Sequence, residues 1–184
     1  MSRRQWLWLL GVVSGVLFLA LALIDFEIQD SGGPGIVAFE VAGTTDRAQE
    51  ILAEWGESGK DAARLSLWLD FPYLVAYGAF FWLSILAMRD SALSRGWTRY
   101  ARPGKAIALL AIAAAAFDAV EDVFLLLSIG GQADTAAPTI ATVFAIFKFI
   151  SLGIAAIYLL AGLAAIGRAK LRERGAGSQE PTPR

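Results

Sequence analysis

The 184-residue sequence contains no cysteine and no histidine. Without cysteine there are no disulfides and no thiolate chemistry, and the redox compartment leaves no trace. Without histidine the usual zinc and haem ligands are gone, so only carboxylates remain, and these suit hard cations. No cofactor and no resident metal is therefore expected. Net charge is also scarce, at -1, and no basic tract of the kind that binds nucleic acid stands out. Also missing is any polar stretch long enough to build a soluble domain beside the apolar runs.

Apolar residues are what is present. They make up 57% of the chain and fall into four runs, at about 6–24, 65–88, 106–129 and 139–166. Each is near or above the ~20 residues that carry an α-helix across a bilayer core of ~30 Å. The expected fold is an all-α membrane protein, a four-helix transmembrane bundle in a single domain over 1–170. Gly11 and Gly15 form a GxxxG in the first run, a spacing that permits close helix approach. Arg3-Arg4 ahead of this run also fits a twin-arginine export signal, with Ala20-Leu21-Ala22 imitating a cleavage site. The full spanning length favours a retained helix.

The connections set the orientation. Residues 89–105 hold five basic residues against Asp90, and both terminal flanks are basic. Residues 25–64 hold nine acids against Arg47, Lys60 and Arg64. By the lysine/arginine bias, both termini are cytoplasmic and residues 25–64 lie outside the cell inner membrane, which the chain crosses as a multi-pass protein. The bilayer is the expected partner, with a possible homo-oligomer and no nucleic acid. Within the outer segment, alternating runs at 25–29 and 36–41 around Ser31-Gly-Gly-Pro-Gly35 predict a small hairpin. Thr44-Thr45 can cap a helix whose Ala48, Ile51, Leu52 and Trp55 share one face, with Gly56 ending it. Ser58 and Asp61 mark another helix start. The tail, 171–184, reads as a disordered cytoplasmic extension.

Ionisable groups inside the runs cost roughly 2.5–3.5 kcal/mol each on insertion scales, so they commonly face a bundle interior or a water-filled cavity. Asp70 shares a face of the second run with Ser66, Tyr73, Tyr77, Phe81 and Ser84. Pro72 beside it frees the carbonyl of Trp68 and predicts either a bend or a polar niche. In the third run Ala108, Ala111, Ala115, Asp118 and Asp122 recur along one seam, with Glu121 adjacent. Lys148 sits on a small-residue face of the fourth run. At 1.5 Å per residue, all five groups fall between the membrane midplane and the outer surface. That convergence predicts one buried site, with Lys148 paired to a carboxylate, Asp118 first, and at least one other acid protonated.

Phe39-Glu-Val-Ala-Gly-Thr44, Trp55-Gly56, Leu69-Asp-Phe71 with Tyr77, Asp118-Ala-Val-Glu121 and Lys148-Phe149 together resemble an uncharacterised family of four-span bacterial integral membrane proteins. The resemblance covers most of residues 39–150. After Glu121 an Asn would match that pattern, where this chain has Asp122. The resemblance carries no known activity. It implies that Glu40, Asp70, Asp118, Glu121 and Lys148 belong together.

Three functions compete. One is binding or transport of a small solute, cation or proton by Asp70, Tyr73, Tyr77, Asp118, Glu121, Asp122, Lys148 and Glu40, with the ligand unknown. A membrane-embedded enzyme could use a Lys–carboxylate pair for acid/base work on a lipid or isoprenoid, although no nucleophile motif, metal triad or phosphate loop supports it. A structural or assembly protein would use the polar cluster to fix helix register.

Overall fold

The computed structural model describes residues 1–177, with side chains to residue 171, and all its regular structure is helical. The elements are α1 (Arg3–Asp30), α2 (Ile36–Glu40), α3 (Thr45–Ser94), α4 (Thr98–Ala101), α5 (Gly104–Leu127) and α6 (Ala137–Gly177). A π-helical turn, Ser128–Gln132, follows α5. Helices α1, α3 and α6 are long and apolar enough to cross a membrane. Helix α1 packs on α3, α3 on α5 and α5 on α6, and α6 closes back on α3.

Helix α5 differs in where its polarity lies. Its seam of Ala108, Ala111, Ala115, Asp118 and Asp122 is buried, as is Glu121. Its outward face carries Leu109, Ile112 and Val123, all exposed. Small residues on the seam let neighbours approach closely. At Gly78 of α3 an added Cβ would sit 3.0 Å from the Cβ of Ala115, so glycine is what permits that crossing. Apolar side chains also line the outside elsewhere: Val16, Leu19 and Leu23 on α1, Trp68 and Val75 on α3, Ile157 and Leu160 on α6. Only half of the GxxxG is in contact, with Gly11 against the ring of Phe80 and nothing near Gly15.

The expected hairpin is absent: residues 25–30 continue α1, and 36–40 form α2. Alternation over five residues is too short to exclude a helix, and here Ile24 and Ile28 stack one turn apart on the inner side, with Ile28 fully buried. Residues 31–35 make the reversal. Asp25 secures it, its Oδ1 accepting from the Ile36 backbone N–H at 2.6 Å and its Oδ2 from Gln29 Nε2 at 2.7 Å.

The other half of the outer segment follows the sequence expectation. The Thr44 hydroxyl caps α3 by accepting from Arg47 N at 3.3 Å, and Ala48, Ile51, Leu52 and Trp55 are all buried. The Trp55 indole packs 5.0 Å from the Phe39 ring and donates to the Pro34 carbonyl at 2.6 Å. Gly56 breaks the helix at φ 58°, ψ -159°, and the helix then resumes toward the second apolar run. Pro72 is accommodated within α3, whose only non-helical φ/ψ is at Gly56. Helix α6 reaches Gly177, so the first part of the tail expected to be disordered is helical. The rest of that expectation, at 178–184, lies outside the described residues.

A candidate carboxylate–lysine site

Lys148, about three turns into α6, reaches three carboxylates rather than one. Its Nζ lies 2.9 Å from Asp118 Oδ1, 2.8 Å from Glu121 Oε2 and 3.2 Å from Glu40 Oε2. The contacts to Asp118 and Glu40 are hydrogen bonds, while the Glu121 contact is an ion pair whose geometry is too poor for one. Three donors on one ammonium allow this sharing. Lys148, Asp118 and Glu121 are buried, Glu121 completely. Breaking a pair at such a place leaves an uncompensated charge, which is strongly destabilising.

The local sequence explains the arrangement. Asp118, Glu121 and Asp122 stand at i, i+3 and i+4 on α5, so all three project from one side. Asp118 is held from the α3 side as well, its Oδ2 accepting from the Tyr77 hydroxyl at 2.7 Å. The Tyr73 ring lies tilted against that of Tyr77, 5.0 Å between centroids, and 6.4 Å from that of Phe18 on α1. The two tyrosines thus wall the site on its inner side and on the side of α1.

Asp70 and Asp122 form the other half. One carboxylate oxygen from each of Asp70, Asp118 and Asp122 lies within 4.8 Å of the others. Neither Asp70 nor Asp122 contacts Lys148 in the way that Glu40, Asp118 and Glu121 do. Asp122 is 2% exposed, and its Oδ2 has no hydrogen-bond partner. A cavity of about 300 Å³ opens onto this half, lined by Phe18, Asp25, Glu40, Ser66, Asp70 and Asp122 among others. The structure therefore brings all eight expected site residues into one neighbourhood, but sorts the five acids into three on Lys148 and a lysine-free pair.

Glu40, the one site residue outside the long apolar runs, is placed by the outer segment. The Thr142 hydroxyl donates to the Glu40 carbonyl at 2.7 Å and accepts from Gly43 N at 2.9 Å, and Thr139 donates to the Gly43 carbonyl at 3.0 Å. Two threonines on the first turns of α6 thus pin residues 40–43 over the bundle. Sequence reading missed them and missed Asp25 as a wall of the cavity. The signal available was the pair of hydroxyls three residues apart on an apolar helix, where side-chain hydroxyls commonly seek a carbonyl. Comparison with protein-family models, with known proteins and with solved structures finds no match.

Proposed function

We propose that the chain is a four-span protein of the bacterial inner membrane, with both termini cytoplasmic, that binds or transports a small solute, cation or proton at its carboxylate–lysine site. Helix α5 supplies the fourth span. Its acids face inward and its apolar residues outward, so the charges that lower its hydropathy never meet lipid. The basic 89–105 connection and termini place residues 25–64 outside, and the site then opens toward the outer face through the cavity beneath α2.

The observation that carries this reading is the lysine-free pair. A cluster that served only to fix helix register would be complete with Lys148 and its partners. Asp70 and Asp122 add two further acids, one of them buried with an unpartnered oxygen, beside a cavity. Buried polar groups are otherwise satisfied in folded proteins, and intramembrane acids mark solute, ion and proton paths. The resemblance to four-span membrane proteins adds no activity.

The test is a thermal-stability screen of the purified protein against pH, alkali and divalent cations, and organic amines, with native mass spectrometry for co-purifying molecules. At least one ligand should stabilise the wild type and not Asp70→Asn combined with Asp122→Asn. A folded wild type indifferent to every cation and to pH, and carrying no small molecule, would refute the reading.

A further inference from the structure

We infer that Asp70, Asp118 and Asp122 are the ligands of a hard divalent cation, of the Mn2+ or Ca2+ type, entering from the outer face through the cavity beneath α2. This rests on the proposed cation-binding reading and narrows it to one class of ligand and three donors. It also revises the expectation that the chain holds no metal.

Geometry supplies the first argument. Two oxygens bound to one such ion at roughly 2.2–2.5 Å are at most about 5 Å apart, and the three aspartate oxygens lie within 4.8 Å of one another. They come from two helices that meet at the close Gly78–Ala115 crossing, so the donors stand on rigid supports rather than on a loop. Asp118 and Asp122 are one helical turn apart, and Asp70 faces them from α3.

The unpartnered oxygen supplies the second. Asp122 is 2% exposed and its Oδ2 meets no donor, which is rare for a buried carboxylate; the oxygens of the neighbouring Glu121 also lack a hydrogen bond, but Glu121 has the Lys148 ammonium at 2.8 Å. Among the described residues no lysine or arginine fills that role for Asp122, because the one buried cation there, Lys148, is turned to Glu40, Asp118 and Glu121. The two carboxylates it does not reach carry two formal charges, which a divalent ion matches. Asp118 would bridge the halves, with Oδ1 on Lys148 and Oδ2 on the Tyr77 hydroxyl, leaving lone pairs toward the ion.

Donor type and access agree. All three donors are carboxylates, and the cavity wall adds Ser66, Asp25 and Glu40. A cavity of about 300 Å³ leaves room for the waters that complete a six- to eight-oxygen shell. Its apolar walls, Phe18, Leu21 and Leu67, would exclude bulk solvent from the ion.

The experiment uses the full chain in detergent, stripped with a chelator and titrated with Mn2+. Bound ion is read by electron paramagnetic resonance. Carboxylate protection from carbodiimide labelling, with and without Mn2+, is read by peptide mass spectrometry. One saturable ion per chain is expected, with Ca2+ competing, Asp70 and Asp122 protected, and no nitrogen coupling. Asp70→Asn and Asp122→Asn should each weaken binding at least about tenfold. Because protection is read on the wild type, a variant that fails to fold does not remove the test. Protection confined to outer acids such as Glu50 and Asp61, or unaltered binding in both variants, would overturn the inference. So would absence of saturable binding. If Mn2+ fails while an amine or a proton binds at the same residues, this inference alone falls. If no cation of any kind binds, the broader reading falls with it.

Discussion

Lys148 and Asp118 offer the sharpest energetic test of the site. Replacing Lys148 by Met removes the only ammonium among the described residues within reach of Asp118, Glu121 and Glu40 and strands three carboxylates among buried helices. The expected loss is about 3–5 kcal/mol, the scale for removing one partner of a buried pair. Asp118→Asn is milder. Lys148 retains Glu121 at 2.8 Å and Glu40 at 3.2 Å, and the amide oxygen can still accept from Tyr77. What goes is one charge-assisted hydrogen bond, about 1.5–3 kcal/mol. In the double variant the asparagine no longer needs the ammonium, so the loss should fall short of the sum by about 0.5–3 kcal/mol, the range for contacting residues. The assay is equilibrium unfolding in mixed micelles, with all four proteins in one micelle composition. Additivity to within about 0.5 kcal/mol would show that the two side chains do not interact and would refute the shared-lysine arrangement. A larger loss from Asp118→Asn than from Lys148→Met would refute the sharing itself, because it would mean that Lys148 depends on one acid rather than three.

Two further predictions concern the frame around the site. Gly56 lies at φ 58°, ψ -159°, a region essentially reserved for glycine, so Gly56→Ala should cost about 1–3 kcal/mol, measured as in the cycle above. An unchanged stability would mean that the break in α3 is not required. A single cysteine at Glu57, whose side chain is 82% exposed, should label from outside intact cells, and one at Ser94 only after permeabilisation. The reverse pattern would overturn the proposed orientation.

The fold was legible wherever a pattern ran long enough to average over its neighbours. Four apolar runs of about 19 residues or more found the long helices, and the three-and-four spacing of Ala48, Ile51, Leu52 and Trp55 found the buried face of the outer segment. The run at 25–29 failed for the opposite reason. Five residues satisfy a period of two and a period of 3.6 almost equally, and the deciding fact, that Ile28 is fully buried one turn below Ile24, belongs to tertiary packing. Asp25 decided the geometry of the turn by accepting the Ile36 N–H, a contact between residues eleven apart that no local spacing announces.

Depth gave the site and partnership did not. Placing Asp70, Asp118, Glu121, Asp122 and Lys148 at one level follows from helix rise, because each lies a countable number of turns from a loop whose side the charge bias predicts. Which acids share the lysine depends on how α2 is carried over the bundle, and that rests on Thr142 and Thr139 holding residues 40–43. A helix of five residues, Ile36–Glu40, has little cohesion of its own. Its position is borrowed from α6 through those hydroxyls, from Trp55 through the Pro34 carbonyl, and from Asp25. Glu40 therefore meets Lys148 only when the outer segment is docked. Helices α5 and α6 can bring Asp118 and Glu121 to the lysine by themselves, whereas the third carboxylate comes from the same element that roofs the cavity. Any movement of that roof must change the charge felt by Lys148, and through Asp118 the state of the lysine-free pair. The outer segment is thus energetically part of the site, although only one of its residues touches the lysine.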